Sequence, residues 1–122
     1  MGKFVIKAAK NGVKFDLKAT NGQVIASSQV YKTEATCKKG IASVIANAAV
    51  ASVEDQTVEG YEAQKNPKFQ VYTDKGGEFR FRLTAKNGQI IAVSEGYKTM
   101  KACSAGIESV RKNSADAPIV SE

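Results

Sequence analysis

The 122-residue chain contains no histidine and no tryptophan. Without histidine there is no Ser-His-Asp or Cys-His nucleophile system, and the commonest metal ligand is missing as well. Cysteine occurs only at Cys37 and Cys103. Two cysteines so far apart make neither a disulfide framework nor a CxxC-type zinc site. No Gly-rich phosphate loop is present, because Gly76-Gly77 lacks the following Lys-Ser/Thr and opens a strand rather than a helix. No apolar run approaches the roughly eighteen residues that would span a bilayer. The segment Met1 to Lys7 has no long apolar region ahead of a cleavage site, so the chain reads as cytoplasmic. The carboxylates are scattered, with no pair placed for acid–base work. Together these absences predict a protein that is not an enzyme, takes no cofactor or metal and meets no membrane.

What the chain does have is a globular composition, 43% hydrophobic and 25% charged, with two prolines. Its formal net charge is +6, from 18 basic and 12 acidic residues. Residues 1–61 hold 8 basic and 5 acidic side chains, residues 62–122 hold 10 and 7, so each half carries +3. No basic tail or dense Lys/Arg block stands out, and the excess reads as a diffuse surface property that favours encounter with polyanions.

The chain is also its own closest comparison. Shifted by 66 positions, residues 13–47 fall on residues 79–113 with 18 of 35 pairs identical. Phe15/Phe81, Leu17/Leu83, Asn21-Gly22/Asn87-Gly88, Tyr31-Lys32-Thr33/Tyr97-Lys98-Thr99, Cys37/Cys103 and Gly40-Ile41/Gly106-Ile107 are among the matches. Upstream the register slips by one, with Lys3-Phe4 over Lys68-Phe69.

Each unit opens with a strand carrying Phe4 and Ile6, or Phe69 and Val71, on one face. Hairpin dipeptides follow at Asn11-Gly12 and Gly76-Gly77. The second strand alternates: Val13, Phe15, Leu17 and Ala19 face one way, Lys14, Asp16 and Lys18 the other. In the second copy Phe79, Phe81, Leu83 and Ala85 oppose Arg80, Arg82 and Thr84. The Asn-Gly pairs then lead into Val24–Ser28 and Ile90–Ser94. After the Tyr-Lys-Thr triplet the period changes. Thr33 and Thr99 are N-caps, and Cys37, Ile41, Val44 and Cys103, Ile107, Val110 form one helical stripe each. Gly40 and Gly106 sit beside those stripes, against helix propensity, which implies close backbone approach to the sheet. The helices end near Asn47 and Asn113, and Val50–Glu54 and Pro118–Ser121 are extended.

The predicted architecture is therefore α+β, with two tandem β3-α-β repeats assembled pseudo-symmetrically around one core. Repeat 1 is 1–55, the connector 56–67 and repeat 2 68–122, in one compact domain. Sixty residues alone bury too little for a robust core, so the repeats are expected to share one sheet and to act as a monomer carrying an internal dimer.

The blocks Phe79-Arg80-Phe81-Arg82-Leu83, Asn87-Gly88 and Gly106-Ile107-Glu108-Ser109-Val110-Arg111-Lys112-Asn113 resemble the YegP-like family of small bacterial and archaeal proteins, over nearly the whole chain. That resemblance implies two repeats joined in one sheet with exchanged C-terminal strands and two covering helices. It brings no activity, substrate or catalytic residue. The first unit departs from the pattern, with Asp16 at the place of Arg82 and Ile45-Ala46 at the place of Arg111-Lys112. If those cations bind something, the first unit is the poorer binder.

Three functional readings remain. The first is a small non-catalytic binding or interaction module with an unidentified protein partner. Its candidate surface is Arg80, Arg82, Tyr97, Lys98, Arg111, Lys112, Tyr31 and Lys32. The second is weak nucleic-acid binding, with Arg80, Arg82, Lys98, Arg111 and Lys112 against phosphates. Phe79 and Phe81 share parity with Leu83 and so belong to the core, which leaves no aromatic platform for bases; a strand face lined with Arg and Lys is also the ordinary appearance of a solvated face. The third is thiol redox chemistry at Cys37 and Cys103, against the ordinary outcome that both are small buried hydrophobes. Tyr31 and Tyr97, each just before a helix, either touch a ligand or pack and bond through their hydroxyls.

Overall fold

The computed structural model describes residues 2–115 and 117–121. Its elements follow the duplicated pattern: β1 (Lys3–Ala9), β2 (Gly12–Lys18), β3 (Val24–Ser27), α1 (Glu34–Ala48), β4 (Ser52–Asp55), then β5 (Lys68–Thr73), β6 (Phe79–Thr84), β7 (Ile90–Val93), α2 (Met100–Ser114) and β8 (Ile119–Ser121). The eight strands form one mixed sheet in the order β4-β5-β6-β7-β3-β2-β1-β8. β4 leaves the first repeat and pairs parallel with β5 of the second, while β8 leaves the second and pairs parallel with β1 of the first. The C-terminal strands are thus exchanged. At the centre β3 and β7 run antiparallel and meet at Ser27 and Val93.

Local chemistry explains the boundaries. Thr33 Oγ1 accepts from the Thr36 amide at 3.2 Å, and Thr99 Oγ1 accepts from Ala102 at 3.0 Å, so both helices carry the N-caps the sequence predicts. The first β-hairpin differs by one position from the Asn11-Gly12 reading. Ala9 pairs with Gly12, and the two-residue loop is Lys10-Asn11, with Asn11 in the left-handed region at φ 68°. Asparagine tolerates that conformation, which leaves Gly12 free to begin β2. The Asn21-Gly22 and Asn87-Gly88 hairpins close as three-residue loops with the glycine at positive φ, and each is preceded by a register shift, between Leu17 and Lys18 or between Leu83 and Thr84.

Both helices lie on one face of the sheet. Phe4, Phe15, Leu17, Phe69, Phe81 and Leu83 from the strands meet Cys37, Ile41, Val44, Cys103, Ile107 and Val110 from the helices in a single cluster drawn from both repeats. The close approach implied by the helix glycines is to side chains standing on the sheet. A Cβ at Gly40 would collide with the Tyr31 hydroxyl and lie 3.2 Å from Phe15; at Gly106 it would collide with Tyr97 and lie 3.1 Å from Phe81. Tyr31 stacks on Phe15 at 6.3 Å and Tyr97 on Phe81 at 6.2 Å. Among the described residues neither tyrosine hydroxyl has the hydrogen-bond partner the sequence reading gave it; each rests against its helix glycine instead.

Candidate functional site

Directly opposed residues of neighbouring strands share a face. One row can therefore be followed across all eight strands: Glu54, Gln70, Arg82, Val93, Ser27, Asp16, Val5 and Val120. This row lies opposite the core row that holds Leu17, Phe4 and Leu83, so it belongs to the sheet face that no helix covers. The same face carries Lys3, Lys7, Lys14 and Lys18 from β1 and β2, and Lys68, Arg80 and Arg82 from β5 and β6. Its strands thus present seven cations against two carboxylates, Asp16 and Glu54. The other 11 basic and 10 acidic residues nearly cancel. Alternation sends every second strand residue to the same face and so gathers seven of the 18 cations there; the helices on the other side carry five more, Lys38, Lys39, Lys101, Arg111 and Lys112, against Glu34 and Glu108.

Both carboxylates are spent internally. Glu54 is 2% exposed. Lys68 Nζ donates to it at 2.7 Å, Gln56 Nε2 at 2.7 Å and the Gln64 amide at 2.8 Å, so the connector folds back over this end of the face. Burial alone would raise its pKa, but these donors bring it down to about 2. Asp16 sits 2.6 Å from Lys7 Nζ and accepts from Ser27 Oγ at 2.7 Å. There too burial opposes ionisation, and the two donors outweigh it, holding the carboxyl below its ordinary value.

The arginines of β6 are engaged as well. Arg80 Nε donates to Asp74 at 2.7 Å and Nη1 to the Ser94 carbonyl at 3.3 Å. Arg82 Nε donates to Gln70 at 2.7 Å, and its guanidinium lies 4.8 Å above the Tyr72 ring. They remain partly exposed but are fixed in place.

The eight residues singled out from the sequence do not gather into one surface. Arg80 and Arg82 lie on the uncovered face. Arg111 and Lys112 lie on α2 in the opposite layer. Arg111 donates to Glu108 at 2.7 Å and to the Ala51 carbonyl at 2.6 Å, and lies 5.4 Å over Phe69, so it ties α2 to the entry of the exchanged β4. Tyr31 and Tyr97 are wedged between helix and sheet, and Lys32 and Lys98 are exposed at the helix starts. Lys3, Lys7 and Lys68 join this face although no sequence motif marks them, whereas the alternation of β2 by itself places Lys14 and Lys18 on the wet face.

Cys37 and Cys103 are fully buried on the helix stripes. Burial, with Glu34 adding to it, raises the Cys37 thiol above its ordinary value; burial and then Asp55 raise Cys103 to about 11. At neutral pH both are protonated thiols without access to solvent, the opposite of a reactive cysteine. Among the described residues no group of three or more Cys, Asp or Glu side chains could hold a metal ion. No helix among them is long and apolar enough to cross a membrane.

A duplicated β3-α-β unit with exchanged final strands, covered on one face and basic on the other, defines the class of this protein. The family model described as a domain of unknown function, DUF1508, matches it twice, over residues 8–55 and 74–121, and the chain belongs to that family. It is 42% identical to the UPF0339 protein YegP of Yersinia pestis over 114 residues, 93% of this chain and 88% of that one. A UPF0339 protein of Methanosarcina acetivorans is 58% identical over 53 residues, which cover 43% of this chain and 91% of the relative. Such a relative has about the length of one repeat. Among solved structures, the solution structure of yegP from E. coli, a protein of unknown function, matches with a TM-score of 0.79 at 31% identity, over 99% of this chain and 92% of that one. A UPF0339 protein from Shewanella oneidensis matches with a TM-score of 0.80 at 29% identity, over 98% and 90%.

Proposed function

We propose that this protein is a small non-catalytic binding module whose uncovered sheet face receives a negatively charged partner. The observation that carries this reading is the gathering of cations on a flat, uncovered sheet face. Seven cations stand on the strands of one face, and the described carboxylates among them, Asp16, Glu54 and the neighbouring Asp74, are already matched to Lys7, Lys68 and Arg80. A field of one sign on a broad, rigid surface draws in counter-charged partners and speeds their encounter. The absence of histidine from the sequence, and of a converging acid–base pair among the described residues, fits binding rather than turnover. In this reading the chain acts as a monomer, since each repeat's first strand is already paired with the other's last.

Retention on immobilised heparin, a generic polyanion, tests the reading. Lys14→Gln/Arg82→Gln removes two charges from the uncovered face; Lys38→Gln/Lys101→Gln removes two from the helix layer. The first variant should elute at lower salt than the parent and the second close to it. Equal elution of the two variants, or no retention of the parent at low salt, would refute it.

A further inference from the structure

The two halves of the uncovered face descend from the same repeat but handle their cations differently. In the second half Lys68 is bridged by Glu54 and Arg80 by Asp74. In the first half the repeat mate of Lys68 is Lys3, and the exchanged strand beside it offers Val120 where the other half has Glu54. The mate of Arg80 is Lys14, which has no ion-pair partner within 4 Å among the described residues; nor has Lys3 or Lys18. Asp16 is the one described carboxylate in this patch; Lys7 holds it at 2.6 Å, and the charge of Lys14 also stabilises it. The register then puts like against like: Lys3 directly opposite Lys18, and Lys7 directly opposite Lys14. Like charges so placed repel and destabilise the strand pair. A bound anion would relieve that repulsion.

We propose that Lys3, Lys14 and Lys18, with Lys7 held beside them by Asp16, form a site for the phosphate backbone of a nucleic-acid duplex. This rests on the reading of the uncovered face as the contact surface, and it moves the contact from the arginines of the second repeat to the lysines of the first. The shape of the patch selects the occupant. Its two lysine rungs are four residues apart along the strands, about 13 Å at the usual rise. One small anion cannot bridge that distance, whereas a repeating polyanion can. Lysine suits phosphate as a mobile point charge. A bilayer surface would call for apolar or aromatic side chains beside the cations; here Val5 is buried, and only Val120 at the sheet edge is partly exposed. Single-stranded nucleic acid is held largely by stacking on aromatic side chains, and none stands on this patch. Backbone contact without stacking fits a duplex, bound weakly and with little regard to sequence.

The experiment is fluorescence anisotropy of a short labelled DNA duplex titrated with the protein at several low salt concentrations. Three lysine–phosphate contacts predict a log–log salt slope near −3, at about −0.9 per contact. Lys3→Gln/Lys14→Gln/Lys18→Gln should abolish measurable binding while its thermal midpoint holds or rises, because the repelling pairs are gone. Arg80→Gln/Arg82→Gln should keep the parental slope. Should the triple variant misfold by circular dichroism, each single substitution must still flatten the slope by about 0.9. The proposal falls if the lysine variants bind like the parent or if only the arginine variant loses binding. It falls equally if polyglutamate competes as well as unlabelled duplex, or if vesicles containing phosphatidylglycerol bind more tightly than duplex. Heparin retention without duplex binding overturns this site alone; failure of both removes the face reading with it.

Discussion

Glu54 shows how far a single side chain depends on the whole topology. It lies in an exchanged strand, is bridged by Lys68 of the other repeat and is covered by the connector through Gln64. Nothing in Val50–Glu54 as a sequence marks it, because, Gln56 apart, its partners lie 10 to 16 positions away. Its pKa, about 2 against an ordinary 4.5, has a definite consequence for acid stability. The folded state holds the carboxylate more readily than the unfolded one, so the stabilisation is fully present above about pH 4.5. It is lost as pH falls from there toward 2. Glu54→Gln keeps the shape but removes the charge, and should cost about 1–3 kcal/mol at pH 7. Urea melts at pH 7 and pH 3 would test this: the parent should lose more stability between the two than the variant. Parallel losses would show that Glu54 is not the group responsible. The cysteines were legible where Glu54 was not, since their place on an i, i+4, i+7 stripe already marks them as core.

The helices and hairpins were readable because their signals are local. A hydroxyl before an apolar stripe caps a helix, and period-two alternation fixes which strand face is wet. The first β-hairpin turns one residue earlier than the Asn11-Gly12 dipeptide suggests, because Asn11 itself takes the left-handed conformation at φ 68°. The tyrosines were harder to place. Their fate depends on a glycine nine residues onward, across a turn and into the helix. That pairing makes Gly106 more than a tolerated weak helix former. In Gly106→Ala the methyl would drive against the Tyr97 ring and Phe81. Alanine's helix advantage of about 1 kcal/mol should be outweighed by an overpacking cost of roughly 1–3 kcal/mol. Part of that clash should be relieved when Tyr97→Phe is added, which removes the hydroxyl and leaves the ring carbon at 2.8 Å. Thermal melts of the single and double variants would measure both effects. A stabilised Gly106→Ala protein would contradict the packing described here.

At the scale of the whole molecule, duplication did what a sixty-residue unit cannot do alone. Each repeat lends its last strand to the other's first, and the two apolar faces merge under two helices. The shared sheet and core followed from the repeat and its alternation, and the exchange of last strands from the family resemblance. The gathering of charge did not, although its ingredients were visible. Counting charge by halves gives +3 and +3 and does not show which cations share the uncovered face, since alternation runs from face to face and not along the chain. Nor could the sequence show that Arg111 and Lys112 point into a different layer from Arg80 and Arg82. The repeat mates Asp16 and Arg82, and Val120 and Glu54, then give the halves different electrostatics on the same scaffold. The central claim is that the uncovered sheet face, and its first-repeat half above all, is where this molecule meets its partner. Amide chemical-shift mapping of the labelled protein titrated with polyphosphate addresses that most directly. The account predicts shifts concentrated in β1 and β2 and quiet resonances along α1 and α2; shifts led by the helices, or none at low salt, would contradict it.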